Sequence, residues 1–174
     1  IIIPRKAVSE IIKLVEIAGE SVRIEMSASK IRMTFGSVVL TSKLIDGTFP
    51  DYQRVIPAGN DKILVADKAE FAAAVDRVST ISSERGRAVK LAVADRKLTL
   101  SVTNPDSGSA TEEVEVEYEA SPLEIGFNAR YLLDIMGQLD SDTAFFKLSD
   151  AGSPTLVQDR ENSSALYVLM PMRV

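Results

Sequence analysis

The side chains available for chemistry are few in kind. Histidine, cysteine and tryptophan are all absent. That removes disulfides, thiolate nucleophiles and zinc sites of the Cys or His type, and with them the general base most used near neutral pH. Carboxylates, lysines and hydroxyls remain. Asp140 with Asp142, and Asp159 with Glu161, are close enough in sequence to act as acid–base pairs, but both pairs fall in turn-like stretches and read as solvated. "GSVVLTSK" and "RGRAVK" bring glycine near lysine without the spacing of a phosphate-binding loop. No active site, metal or cofactor is read from these residues, which favours a binding or structural role. The contrasting class is an enzyme working with a carboxylate or lysine. It predicts a deep polar cleft with shifted pKa values, where a binding protein predicts a shallow apolar groove.

Any such surface must be held by a core, and the composition can supply one. Hydrophobic residues make up 45% and charged residues 26% of 174, the ordinary range of a globular chain. No apolar run approaches the roughly 20 residues needed to cross a bilayer, so a cytoplasmic location is the default expectation. The chain opens on "IIIPRK" without an initiator methionine, and the expectation is a piece of a longer protein.

The elements recur in a fixed order. Ala7, Val8, Ile11, Ile12, Val15 and Ala18 have the spacing of a helix with one buried face. Pro4 suits its first turn. "SVRIEM", "KIRMTF" and "VVLTSKL" follow with the period-two alternation of strands. A second pass starts with strand "KILVAD" and helix "KAEFAAAVDRVSTIS", then strands "AVKLAV", "KLTLSV" and "EEVEVEYE". The third runs "LEIGF", then helix "NARYLLDIMGQL" with Asn128 as N-cap, then "TAFFKL", "PTLVQD" and "ALYVLMPM". Strand, helix and three strands thus form one repeating unit. Two units back to back give an α+β domain with two helices on one face of antiparallel sheets. The stretch "LIDGTFPDYQRVIPAGND" reads as a connection, dividing residues 1–59, half a domain, from 60–174, a complete one.

Charge is uneven between these parts. Residues 1–59 carry net +2 and residues 60–174 net −7, together the −5 of the whole chain. Such a protein holds no nucleic acid through a broad basic field. Local basic positions exist at Arg5, Lys6, Lys13, Arg77 and Arg130, and they read either as solvated helix faces or as one surface facing a polyanion. Glu112, Glu113, Glu115, Glu117 and Glu119 give one strand an acidic edge, suited to preventing aggregation or meeting a basic partner.

The C-terminal run "ALYVLMPMRV" is unusual for a terminus in being apolar. With "IIIPRKAV", "TSKLIDGTFPDYQRVIP" and "LEIGFNARYLLDIM", it makes the chain resemble, over its whole length, the bacterial sliding clamp family, the β subunit of DNA polymerase III. The resemblance implies the DNA-clamp fold, with residues 1–59 as the C-terminal half of the middle domain and 60–174 as the whole third domain. It also implies a non-catalytic processivity factor: a homodimeric ring around duplex DNA that tethers DNA polymerase, clamp-loader subunits and repair proteins through short linear peptides. The alternative is a peptide-binding module that never touches DNA.

Residue roles follow from the same resemblance. Arg5, Lys6, Lys13, Arg77 and Arg130 become DNA-facing. The peptide groove, placed between the middle and third domains, takes Pro50, Arg54 and Val55 from "FPDYQRV", Asn128 and Tyr131 from "FNARY", and Gly152 and Pro154 from "GSPT". Val168, Leu169, Met170, Pro171, Met172 and Arg173 complete it. Methionine and proline suit an adaptable apolar surface. Ring closure falls to Thr80, Ile81, Glu112, Glu113, Val114, Glu115 and Glu117. Gly86 stands where some family members have a bulkier residue, so one groove wall is expected to be lower. With middle-domain residues upstream of Ile1 missing, the chain is expected to hold part of the groove and not to close the ring.

Overall fold

The computed structural model describes residues 1–82, 87–159 and 165–174. Gly86 and Glu161 lie outside the described residues. The chain divides into two compact units, Ile1–Asp51 and Tyr52–Val174.

The first unit holds helix α1 (Arg5–Val15) and a three-stranded antiparallel sheet of β1 (Arg23–Met26), β2 (Lys30–Phe35) and β3 (Val38–Lys43) in that order. Ile2 joins Ile45 by an isolated bridge. The helix forms where the apolar spacing places it, but its face is not covered. Val8, Ile12 and Val15 are exposed, and in this unit only Ala7, Ile31 and Phe35 are buried. A unit of one helix and three short strands buries little apolar area by itself.

The second unit holds both. Its first repeat runs β4 (Lys62–Asp67), α2 (Lys68–Ser79), β5 (Ala88–Ala94), β6 (Lys97–Asn104) and β7 (Gly108–Tyr118). The second runs β8 (Leu123–Asn128), α3 (Ala129–Met136), β9 (Thr143–Leu148), β10 (Thr155–Gln158) and β11 (Tyr167–Leu169). All eight strands join one sheet, in the order β11-β10-β9-β4-β7-β6-β5-β8. The repeats interlock: β4 pairs antiparallel with β9, and β5 with β8, so each repeat's opening strand lies beside the other's post-helical strand.

Helix starts are set by the side chains that end β4 and β8. Asp67 accepts from the Glu70 N–H (2.8 Å), and Asn128 accepts from the Arg130 N–H (2.9 Å). Each satisfies an N–H with no partner inside its helix. The turn between β5 and β6 carries Asp95 and Arg96 at φ 49° and 64°, both left-handed, as a two-residue hairpin turn requires. The core gathers Phe71, Val75 and Val78 from α2, Leu132, Ile135 and Met136 from α3, and alternate strand residues such as Leu98, Leu100 and Phe146. Phe71 and Phe146 meet in a tilted pair with ring centroids 5.3 Å apart. Tyr118 is buried with its hydroxyl donating to the Ser121 carbonyl at 2.6 Å, and burial raises its pKa. Among the described residues no helix is long and apolar enough to cross a membrane.

Candidate functional site

The C-terminal run begins as strand and ends as something else. Thr155, Leu156 and Val157 of β10 pair with Leu169, Val168 and Tyr167. Leu169 is buried, whereas Met170 is 62% exposed. The pairing with β10 stops at Thr155↔Leu169, and Pro171, two residues on, has no N–H with which to resume a ladder. One residue on, the Met172 N–H donates to the carbonyl of Gly126 in β8 at 2.8 Å. The last residues therefore cross to the opposite edge of the sheet. Arg173 and Val174 are exposed there.

The tail forms one wall of an open cavity of about 980 Å³. Ala88 and Lys90 of β5, Ser101 and Thr103 of β6, and Glu124 of β8 line it, together with Gly152 and Pro171–Val174. Lys90 and Glu124 are 3.4 Å apart. This is a broad mixed surface rather than a deep polar cleft.

The turn that presents Gly152 is built by Asp150. Its carboxylate accepts from the N–H of Gly152 (2.8 Å), the N–H of Ser153 (2.9 Å) and the Ser153 hydroxyl (2.8 Å). These bonds favour the charged form, the Gly152 N–H foremost, and hold the Asp150 pKa below its ordinary 3.8. Asn60 fixes the other side of this turn, donating from Nδ2 to the carbonyls of Lys147 (2.7 Å) and Pro154 (2.9 Å). Sequence reasoning passed over Asp150, Asn60 and Gly126. Only "DAGS", an acidic residue two and three positions before a turn's N–H groups, carried a local signal.

The remaining peptide-site positions are distributed as follows. Pro50 belongs to the first unit and Arg54 to a short 3-10 turn, Tyr52–Arg54, at the start of the second. Val55 follows at 53% exposure, and Tyr131 on α3 stands at 58%. Asn128 caps α3, so its side-chain oxygen already has a structural task.

The basic positions differ in their local partners. Arg5 and Lys6 are exposed on α1, and Lys13 pairs with Glu10 at 3.0 Å. Arg77, near the end of α2, is engaged by Glu112 of β7. Arg130 is exposed and lines a smaller cavity of about 350 Å³ with Arg87, Asp76 and Ser79.

The acidic strand alternates cleanly. Val114 and Val116 are buried while Glu113, Glu115 and Glu117 face out, and Glu113 meets Lys97 at 2.9 Å. Over Gly108–Glu115 β7 pairs with β6, and from Val116 it turns to β4. Thr80 caps α2, its hydroxyl donating to the Arg77 carbonyl at 2.8 Å. Ile81 packs against the core, and its carbonyl accepts from Asn104 Nδ2 at 2.8 Å. Among the described residues no three acidic side chains are grouped to hold a metal ion.

Comparison with known proteins gives these positions a context. Residues 53–173 match the family model for the C-terminal domain of the DNA polymerase III beta subunit, and residues 1–51 match that for its central domain. The beta sliding clamp of Caulobacter vibrioides is 55% identical over 174 residues, covering 100% of this chain and 47% of that protein. The Pseudomonas aeruginosa clamp is 41% identical over the same span, again 47% of its length. The crystal structure of the Bartonella birtlesii sliding clamp bound to griselimycin superposes with a TM-score of 0.93 at 59% identity, covering 100% of this chain and 47% of that one. The chain therefore spans about half the length of the curated relatives it matches. By fold and by sequence, it belongs to the DNA polymerase III beta subunit family, the bacterial sliding clamps.

Proposed function

We propose that this chain is part of a replication processivity clamp, a non-catalytic ring that encircles duplex DNA and tethers DNA polymerase through a peptide-docking groove. Clamp-loader subunits and repair proteins use the same groove, the intact protein is a cytoplasmic homodimer, and the work is mechanical. Residues 1–59 serve as the second half of a middle domain and residues 60–174 as a third domain. Thr80, Ile81 and the Glu112–Glu117 strand serve ring closure, and the exposed arginines and lysines of the helices face DNA. The net charge of −7 over residues 60–174 suits sliding, because strong phosphate contacts would hold the ring in place.

The observation that carries the docking reading is the C-terminal run. In a chain of this family, it leaves β10 at an exposed Met170 and a proline and borders an open cavity. A flexible thioether beside a rigid proline can adapt to varied apolar anchors. The test is titration of a fluorescent pentapeptide of the glutamine-leucine-x-leucine-phenylalanine type into the chain and into an Arg54→Ala, Met170→Ala double variant. Saturable micromolar binding, about −7 to −8 kcal/mol, that is lost in the variant supports the groove. Equal binding by both would remove these residues from it.

A second reading, a peptide-binding module without DNA contact, is favoured by one observation. The guanidinium of Arg77 is already engaged by Glu112. Retention on circular but not linear duplex DNA by the intact ring separates the two readings.

A further inference from the structure

The closing strands of the two repeats occupy matching places and end differently. β7 leaves β6 and pairs with β4 through Leu64↔Tyr118, Val65↔Glu117 and Ala66↔Val116. The run containing β11 leaves β10 and reaches β8 at a single bridge, Gly126↔Met172. Superimposing the helix caps Asp67 and Asn128 sets Gly126 where the first repeat has Val65, and Met172 where it has Glu117. β7 thus passes a residue with a side chain, and the tail passes one without.

The space at Gly126 explains why. A Cβ there would lie 2.6 Å from the Met172 carbonyl oxygen and closer still to Cγ1 of Val174. Real Cβ atoms do not approach that closely, and the obstructing oxygen is backbone rather than the end of a flexible side chain. The φ of Gly126 is outside the left-handed range, so alanine could adopt its conformation. What the position requires is room for the tail.

We propose that Gly126 is a positioning residue for the C-terminal tail. Its bare Cα lets Met172–Val174 lie across β8 and stand as the wall of the 980 Å³ cavity. The consequence for peptide binding rests on the docking reading above; the seating of the tail does not.

The test is Gly126→Ala in the 174-residue chain, with Gly59→Ala as control, since a Cβ at Gly59 meets nothing within 4 Å. The alanine variant is expected to move the methyl NMR signals of Met172 and Val174 toward free-chain positions. Carboxypeptidase should release Val174 at least tenfold faster, and pentapeptide affinity should fall at least tenfold. Signals from Phe71 and Phe146 stay in place. Unchanged tail signals and release rate overturn the proposal. A released tail with unchanged peptide affinity supports the seating and overturns the docking reading. The same substitution in a chain lacking residues 172–174 completes the cycle. There alanine is expected to leave the melting temperature unaltered, even if the 174-residue variant fails to fold. An equal loss with and without the tail overturns the proposal.

Discussion

Arg77 reaches from α2 to β7 and grips Glu112 with both arms of its guanidinium, Nε to Oε1 at 2.5 Å and Nη2 to Oε2 at 2.6 Å. A candidate phosphate contact and a candidate ring-closure residue are thereby one unit. The hydrogen bonds from Arg77 hold the Glu112 pKa below its ordinary 4.5, and those to Glu112 raise that of Arg77. While the pair is closed, each group's charge is offset in large part by the other's. Glu112→Gln releases Arg77 and is expected to strengthen nonspecific duplex binding at low salt and steepen its salt dependence. Arg77→Ala should change either little. Fluorescence anisotropy across a salt series measures both.

The same pair predicts a pH dependence. A carboxylate with a lowered folded-state pKa stabilises above its unfolded pKa, and that contribution is lost as pH falls through the folded value. The stability difference between the parent chain and Glu112→Gln should therefore be flat above the ordinary carboxylate range and vanish below it. Urea melts at several pH values give the curve. A difference that grows on acidification would contradict the pairing.

Asp150 predicts a second acid-sensitive feature, at the turn presenting Gly152. Its three hydrogen bonds favour the charged form, so the Gly152 and Ser153 amide signals should shift together on acidification with a midpoint below the ordinary 3.8. Asp150→Ala should broaden both signals at neutral pH while leaving those of β9 unchanged.

Thr155 predicts a stabilising substitution. Its Oγ1 is buried without a hydrogen-bond partner among the described residues, at a residue of 0% exposure. An unmet buried hydroxyl costs about 1–3 kcal/mol, and valine has nearly the same shape. Thr155→Val is expected to raise stability by about 1 kcal/mol, read as a higher urea midpoint at constant slope. By contrast Phe146→Ala, at 1% exposure and against Phe71, should cost about 3–5 kcal/mol.

Much of this architecture was legible in the residues. The strands "KIRMTF", "KILVAD" and "TAFFKL" lie where their alternation puts them, because each buries one face. Asn128 caps α3 as its type and place suggest. The length of β7 was not legible. Gly108–Thr111 is mostly exposed, with only Ala110 turned to the core, and joins the strand chiefly through pairing with β6. The exposed side of α1 was equally hidden, since spacing announces an apolar face but not whether anything covers it. At the candidate site the apolar terminus could be read, while Gly126 and Asn60 could not. Their roles depend on what passes within bonding distance from the other end of the chain.

The exchange of strands between the repeats has a kinetic consequence. Because β4 lies on β9 and β5 on β8, neither repeat of the second unit completes its own hydrogen bonding. Detaching one strips the other of an outer neighbour at two places at once. Partial opening repeat by repeat is thereby suppressed, and amides of β4 and β5 should exchange with deuterium in a single concerted event. Both pairings also join residues far apart in sequence, so loop closure must precede most of the gain, and the unit should form slowly for its size.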